Sequence, residues 1–162
     1  MLNKIKQPTL YILVGNIGSG KSTLVKKYQK KGYIVIYRDG IRYCLGGGNY
    51  VFNLDYEPLV HKITDNIFKY FISRKVNMIV DEVNVRKKDR KKYIKFGKKY
   101  GYKVICLHMP ILTKKESIKR RLQNDHGNQG KRIWNKVWDK FDSGYQCPSL
   151  SEGFDKIVKI GD

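Results

Sequence analysis

The chain has 162 residues, of which 41% are hydrophobic and 30% are charged. This length accommodates one domain with a single core, and the composition excludes a disordered or fibrous protein. No apolar stretch approaches the length of a membrane-spanning helix, and the apolar run near the start continues into a glycine-rich motif without a signal-peptide cleavage site. We therefore expect one domain over residues 1–162, no membrane partner and a cytoplasmic location.

Cysteines and histidines are few and isolated. Cys44, Cys106 and Cys147 are odd in number and lack metal-ligand spacing, which fits free thiols in a reducing compartment. The three histidines, at positions 61, 108 and 126, stand alone in the sequence. We expect structural or surface roles for them.

Positive charge is the dominant feature of the composition. The 34 Lys and Arg residues outnumber 14 Asp and Glu residues, which gives a net charge of +20, and +15 of this falls between Arg86 and Lys140. A solvated, lysine-rich surface would account for part of the excess. Because the bias is large and concentrated in one third of the chain, it favours a polyanionic partner, nucleic acid above all.

Apolar runs alternate with helical patterns along the chain, which predicts an α/β fold with a mostly parallel central sheet of four to five strands flanked by helices. The predicted strands cover residues 10–14, 33–37, 76–80, 102–107 and 154–160. The predicted helices cover residues 21–31, a long segment capped by Asp55, the very basic segment 86–100, a segment that starts near Thr113, and a last one that contains residues 133–141.

Two polar, glycine-bearing segments interrupt this pattern. Gly46 to Asn49 predicts a flexible loop, and residues 124–130 have few apolar side chains that could anchor them to a core. We expect residues of about 120–132 to form a short mobile lid.

The strongest motif is GNIGSGKST, which lies between the first predicted strand and the first predicted helix. Its glycines let backbone N–H groups wrap phosphate oxygens, and the positive end of the helix faces the same anion. The motif, a P-loop, uses a lysine at the β- and γ-phosphates and a serine hydroxyl on Mg²⁺, here Lys21 and Ser22. It predicts a site for ATP or GTP with Mg²⁺, formed by Gly15, Asn16, Gly18, Ser19, Gly20, Lys21, Ser22 and Thr23.

Asp39 follows the second predicted strand, at the edge where open α/β sheets bind ligands. A carboxylate there can accept the proton of an attacking hydroxyl, which is the role of the base in phosphoryl transfer. Arg42, three residues later, could bind a phosphate of the acceptor. The alternative interpretation is a helix-capping aspartate beside a surface arginine.

Asp81 ends the third predicted strand, in the position from which P-loop proteins hold Mg²⁺. We predict that Asp81 and Asp39 contact the metal through water. Asn84, three residues after Asp81, could bind phosphate or order the turn that follows the strand.

The helix predicted over residues 86–100 carries nine basic residues. An ordinary amphipathic helix with a solvated face would show the same pattern, because Tyr93, Ile94 and Phe96 supply an apolar side. Aromatic residues also cluster near the predicted acceptor loop, where one or two could stack on a terminal base. They are Tyr37, Tyr43, Tyr50, Phe52 and Tyr56.

Together these motifs resemble the kinase domain of polynucleotide 5′-hydroxyl kinases from phage and bacterial end-healing enzymes. The resemblance rests on GNIGSGKST, RDGIR, IVDEVN, KRRLQN and the closing GFDKIVKI, and it covers nearly all of the chain. It implies transfer of the γ-phosphate of ATP or GTP to the 5′-OH end of RNA or DNA. It further implies that Lys21 and Ser22 hold the nucleotide phosphates and Mg²⁺, that Asp39 is the general base, and that Arg42 contacts the acceptor phosphate, with Arg38 lining the acceptor pocket.

The lid departs from the family pattern. The family has two arginines spaced R-x-x-x-R, and the second clamps the γ-phosphate. Counting from Arg120 places Asn124 at the second position, and counting from Arg121 places Asp125 there. Four candidates remain for the clamp: Arg120, Arg121, Lys131 and Arg132.

Two other functions stay open. The D-x-x-R pattern of Asp39 and Arg42 is also similar to adenylylsulfate kinases and zeta-toxin-like phosphotransferases, although a small acceptor does not need so basic a region. A non-enzymatic, nucleotide-gated nucleic-acid binder would use the P-loop and the charge without this pair. Because the phosphatase and ligase modules that often accompany the family do not occur in the sequence, we expect a stand-alone kinase.

Overall fold

In the computed structural model, the described residues are 6–161, apart from the side chain of residue 128. This part of the chain contains five strands: β1 (Thr9–Val14), β2 (Ile34–Ile36), β3 (Met78–Val80), β4 (Lys103–His108) and β5 (Lys156–Lys159). They form one sheet in the order β2-β3-β1-β4-β5, and every neighbouring pair is parallel. The predicted α/β class and the mostly parallel sheet of four to five strands are confirmed, and the sheet has five strands, all parallel.

Six α-helices flank the sheet in the described part of the chain: α1 (Lys21–Gln29), α2 (Arg38–Leu45), α3 (Glu57–Ser73), α4 (Lys87–Lys99), α5 (Lys114–Leu122) and α6 (Gly130–Asp142). Two short 3₁₀ turns, His126–Asn128 and Leu150–Glu152, lie in the later connections. Over residues 6–161, no helix combines the length and the apolarity that crossing a membrane requires.

The core explains why the first strand is so apolar. Strand β1 is in the middle of the sheet, and Leu10, Ile12 and Leu13 are completely buried. Helices α3 and α4 cover one face of the sheet, and α1 covers the other. A strand buried on both faces needs a continuous apolar run, and such a run is typical of parallel sheets.

Helix α2 changes the position of the predicted acceptor residues. Strand β2 ends at Ile36, so Arg38 and Asp39 lie in the first turn of a helix rather than at the end of the strand itself. The Arg38 backbone N–H donates to the Glu82 carboxylate at 2.9 Å. An acidic group at this position satisfies a free helical N–H and complements the positive end of the helix.

Helix α3 begins later than predicted. Asp55 does not cap it; the helix starts at Glu57, with Pro58 in the first turn, and the Asp55 backbone N–H donates to the Asn53 side chain at 2.9 Å. Proline is favoured in the first helical turn because the N–H that it lacks has no partner there. The local turn at Asn53 therefore replaces the predicted aspartate cap.

One arginine of the basic helix is structural rather than exposed. The Arg90 side chain is completely buried and donates two hydrogen bonds of 2.7 Å to the Glu152 carboxylate. It also donates to the carbonyl oxygens of Asn84, Val85 and Gln146. Arg90 thus ties α4 to the connections before and after it, and it is not available to a ligand.

We predict that Arg90→Met lowers the free energy of unfolding by about 3–5 kcal/mol, because Glu152 would be left as a buried charge without its partner. Urea denaturation measures this loss. The matched control is Arg86→Met, which breaks the half-exposed pair with Asp89 at the start of the same helix and should cost at most about 1 kcal/mol. Equal losses for the two variants would contradict the structural role of Arg90.

Candidate active site

The P-loop connects β1 to α1 and packs against helices α5 and α6. Gly20 caps α1 with a φ of 94°, and Gly18 has a φ of +70°, in the region that favours glycine. A side chain at Gly18 would overlap the carbonyl oxygen of Ser117 on α5. The loop therefore needs glycine at this position both for its backbone conformation and for its contact with α5.

The Lys21 amine lies across the loop that precedes it. Its Nζ donates to the carbonyl oxygens of Gly15 and Asn16, each at 2.8 Å. Burial lowers the pKa of Lys21 to about 8, an effect that the nearby Asp81 charge opposes and the Arg121 charge reinforces. Lys21 is thus a half-buried cation that a phosphate group would stabilise in its charged form.

The other predicted nucleotide-binding residues surround Lys21. Ser22 and Thr23 are exposed at the first turn of α1, and Ser19 is buried with its hydroxyl 3.5 Å from Lys21 Nζ. The Asn16 side chain accepts from the Ile17 N–H at 2.7 Å and donates to the Trp138 carbonyl of α6 at 3.2 Å. Asn16 therefore orders the loop with its side chain.

Asp81 lies directly after β3 and faces Lys21. Burial raises the pKa of Asp81 from 3.8 to about 6, and the Lys21 charge limits the rise. No donor within residues 6–161 forms a hydrogen bond with this carboxylate. A partly buried carboxylate without a hydrogen-bonding partner is suited to a cation, so Asp81 and the exposed Ser22 hydroxyl fit a Mg²⁺ ion, whose preferred ligands are oxygens.

Glu82, which the sequence interpretation passed over, holds the neighbouring Arg38. Its carboxylate accepts two side-chain hydrogen bonds from Arg38, one of them at 2.7 Å, in addition to the backbone bond at the start of α2. Arg38 NH1 also lies 3.0 Å from the His61 ring. Because Glu82 follows Asp81 in the sequence, one carboxylate at this turn faces Lys21 and the next fixes α2.

Asn84 orders this turn. It is 4% exposed, has a φ of 49°, and donates through its side-chain amide to the Leu13 carbonyl of β1 at 2.9 Å. Asparagine tolerates this left-handed conformation better than most residues. Of the two roles that the sequence left open for Asn84, this geometry supports turn ordering, and phosphate binding stays a prediction.

Asp39 is oriented through one of its two carboxylate oxygens. Oδ1 accepts hydrogen bonds from Arg42 NH1 at 2.5 Å and from the Tyr50 hydroxyl at 3.2 Å. Burial raises the pKa of Tyr50 to about 12, and the Asp39 charge adds to this, so the phenol remains a donor. Within residues 6–161, Oδ2 receives no hydrogen bond, and the His126 ring nitrogen Nδ1 lies 3.8 Å from it.

Arg42 is more enclosed than a surface arginine. It is 8% exposed, and it donates to both Glu57 oxygens, from Nε at 2.8 Å and from NH2 at 2.6 Å. These hydrogen bonds lower the pKa of Glu57. The structure thus shows Arg42 orienting Asp39, while its predicted contact with an acceptor phosphate stays a prediction.

The two lid arginines have different surroundings. Arg120 is exposed and lies 3.9 Å from Glu116 on the outer side of α5. Arg121 lies 4.0 Å above the Trp134 ring, and its Nε is buried without a hydrogen-bond partner in the described part of the chain. Burial lowers the pKa of Arg121, and the Asp39 charge opposes this effect.

The other two candidates for the clamp, Lys131 and Arg132, are exposed on α6. Of the four candidates for the clamp, Arg121 is the one whose charge acts on both Lys21 and Asp39.

The connection between α5 and α6 is organised by Asp125. Its carboxylate accepts from the N–H groups of Gln129 and Gly130 and from the Trp134 indole at 2.7 Å. Counted from Arg121, Asp125 occupies the place of the second family arginine, and it acts as an internal acceptor. The predicted mobility of residues 120–132 stays a prediction.

His126 was not recognised from the sequence as a site residue. Its Nδ1 is 3.8 Å from Asp39 Oδ2 and is buried without a hydrogen-bond partner in the described residues. Its ring packs against Tyr43 and Tyr50, with centroids 5.8 and 5.6 Å apart. No local pattern links position 126 to position 39, since the contact depends on how the lid folds back over α2.

A model of a protein family described as an AAA domain matches residues 10–148. The chain belongs to this family. Human NEDD4-binding protein 2 is 26% identical to this AAA domain over 125 residues, which make up 76% of the chain and 7% of the human protein. The chain therefore spans less than a tenth of that relative.

Solved structures share the fold of this AAA domain. A chain of the Pnkp1/Rnl/Hen1 RNA repair complex superposes with a TM-score of 0.67 at 21% identity, over 88% of this chain and 46% of that chain. The APS kinase CysC of Mycobacterium tuberculosis superposes with a TM-score of 0.59 at 16% identity, over 96% of this chain and 90% of that chain. Together with the family match, these likenesses show the fold, a single α/β domain with a parallel sheet and a P-loop.

We predict that Asp81→Asn stabilises the protein at pH 7.5 in the absence of nucleotide and metal. The folded-state pKa of about 6 lies above the ordinary value of 3.8, so ionisation of Asp81 costs folding free energy as the pH rises from about 4 to 6. The gain in the free energy of unfolding should be on the order of 1–3 kcal/mol at pH 7.5 and absent at pH 4.

Thermal and urea unfolding at the two pH values measure this difference. Asp55→Asn, at an exposed position, is the control and should change little. If Asp81→Asn destabilised the protein at pH 7.5, the carboxylate would be a structural group rather than a cation ligand kept at a cost in stability.

Proposed function

We propose that the chain is a polynucleotide 5′-hydroxyl kinase, which transfers the γ-phosphate of ATP or GTP to the 5′-OH end of RNA or DNA. The observation that carries the proposal is the state of Asp39. Two donors hold one of its oxygens, its other oxygen is free of hydrogen bonds within residues 6–161, and its charge acts on both Lys21 and Arg121. A base, two cations and a P-loop thus meet at one edge of the sheet.

The proposed reaction follows from these positions. The 5′-hydroxyl oxygen attacks the γ-phosphorus in line, the bond to the β–γ bridging oxygen breaks, and the nucleoside diphosphate leaves. Asp39 Oδ2 accepts the proton of the hydroxyl. Lys21 and Arg121 offset the negative charge on the transferred group, and both lose hydration through burial, which strengthens their effect. Mg²⁺, held by Ser22 and through water by Asp81 and Asp39, would neutralise charge on the β- and γ-phosphates.

The choice of a polynucleotide acceptor rests on charge. The net charge of +20 exceeds what a small acceptor needs, and much of it lies on α4, directly after the loop that contains Asp81 and Glu82. The similarity to a chain of an RNA repair complex agrees with this choice. Transfer to adenylylsulfate or another small alcohol, or salt-sensitive nucleic-acid binding without transfer, would favour the alternatives.

We predict that Asp39→Asn lowers phosphate transfer by about 10²–10⁴-fold and leaves nucleotide binding unchanged, because the amide cannot accept the proton. Lys21→Met should lose both transfer and nucleotide binding. Asp55→Asn makes the same chemical change at an exposed aspartate and is the matched control.

The assay follows labelled γ-phosphate from ATP and from GTP onto 5′-OH RNA and DNA oligonucleotides. A 5′-phosphorylated oligonucleotide, a set of nucleosides and adenylylsulfate are the comparison acceptors. Full transfer by Asp39→Asn would remove this residue from the mechanism, and transfer to a small acceptor alone would reject the polynucleotide.

We also predict that the two lid arginines differ in function. Arg121→Ala should lower kcat by about 10³-fold, because an arginine that stabilises the transferred phosphoryl group contributes 10³–10⁵ in rate. Arg120→Ala removes the same charge one residue away. It should change kcat less than about threefold, because the Arg120 side chain is exposed and pairs only weakly with Glu116. A larger loss with Arg120→Ala would reverse the assignment.

A further inference from the structure

The outer face of α4 consists of lysines. The helix contains seven of them and a single acidic residue, Asp89, which pairs with Arg86 at the start of the helix. Arg90, Tyr93, Ile94 and Gly97 take the buried positions, and the lysines take the opposite side. We call this surface the α4 lysine face; it comprises Lys87, Lys88, Lys91, Lys92, Lys95, Lys98 and Lys99.

Most of this face has no counter-charge in the protein. Lys92 pairs with Asp65 and Lys98 pairs with Asp155, each at 2.5 Å. Within residues 6–161 the other five lysines form no ion pair. Four of these five recur at every fourth position, where like charges on a helix repel one another. The face therefore carries an electrostatic cost that a polyanion would relieve.

The face begins beside the candidate active site and leads away from it. Helix α4 follows the loop that contains Asp81 and Glu82, and the Glu82 carboxylate binds Arg38 at the start of α2. An open groove of about 640 Å³ lies there, between residues 86–88 and 143–146. From Lys87 to Lys99 the helix extends about 18 Å, from the carboxyl ends of the strands towards their amino ends.

We propose that the α4 lysine face binds the phosphodiester backbone of the acceptor strand on the 3′ side of its reactive end. This inference rests on the proposed function, because it assumes that the 5′ end lies at Asp39. Regularly repeated cations without an outward apolar side chain match a polymer of regularly repeated phosphates. An amphipathic membrane helix would instead expose its apolar side, and in α4 Tyr93 and Ile94 are buried in the core.

A pair of matched variants tests the face. The first is the quadruple variant Lys88→Gln, Lys91→Gln, Lys95→Gln and Lys99→Gln. The control removes four lysines from the opposite face of the sheet, at the end of α1 and just after it: Lys26→Gln, Lys27→Gln, Lys30→Gln and Lys31→Gln. All eight positions are exposed, both variants lose the same charge, and glutamine keeps the helix propensity of lysine. Thermal unfolding verifies that both fold.

Two measurements are made on each protein: transfer to 5′-OH acceptors of two and of twenty nucleotides, and the salt dependence of twenty-nucleotide binding by fluorescence anisotropy. In the α4 variant we expect KM for the long acceptor to rise at least about tenfold with kcat unchanged, and KM for the dinucleotide to stay the same. The negative slope of log K against log salt should become less steep by about 3, since each phosphate contact on a single strand contributes about −0.7. The α1 control should change each value less than about threefold.

The outcomes separate this proposal from the proposed function. If the two variants lose affinity equally, or if the long acceptor is used normally by the α4 variant, the face is rejected while the kinase activity stands. If no acceptor is phosphorylated but the α4 variant alone loses salt-sensitive binding, the face is a nucleic-acid site, while the kinase proposal fails and the placement of the 5′ end at Asp39 fails with it. Equally tight binding of polyglutamate to the wild-type face would assign it to an acidic protein and overturn the proposal.

Discussion

The opposition of Lys21 and Asp81 at the carboxyl edge of the sheet is the interaction on which the rest of the site depends. Burial lowers the pKa of the amine to about 8 and raises that of the carboxylate to about 6. Each group is therefore less stable in its charged form than it would be in water, and each limits the shift of the other. A phosphate and a cation, placed between them, would relieve both penalties together. The partly desolvated charges of Lys21 and Asp81 therefore favour the binding of a phosphate together with a metal ion.

A second set of charges gives this edge its rigidity. Arg42 joins Asp39 to Glu57, and Arg38 joins α2 to Glu82. Paired hydrogen bonds from one guanidinium fix the direction as well as the distance of a carboxylate. These pairs leave a single oxygen of Asp39 open to a substrate. The contrast with Asp81 is informative, because arginines hold the carboxylates of Glu57 and Glu82, whereas the Asp81 carboxylate has no hydrogen bond within residues 6–161.

The sequence predicted the parts of this arrangement that follow from local chemistry. The P-loop, the parallel sheet, Asp39 and Asp81 could be placed because glycine spacing, apolar runs and strand ends carry local signals. Glu57 and His126 could not, because their contacts with Arg42 and Asp39 join positions far apart in the chain. The two adjacent lid arginines could not be told apart either, since only the rotation of α5 decides which one faces Trp134.

The distribution of cations separates two uses of positive charge. Arg38, Arg42 and Arg90 are held by protein carboxylates and stabilise particular contacts of the fold. Guanidinium groups are suited to this, because their planar donors match a carboxylate at two points. The exposed charge of α4 is lysine, whose compact and flexible ammonium binds phosphates without a fixed geometry. A surface that must hold a strand of any sequence needs attraction without fixed geometry, and the lysine-only outer side of α4 provides it.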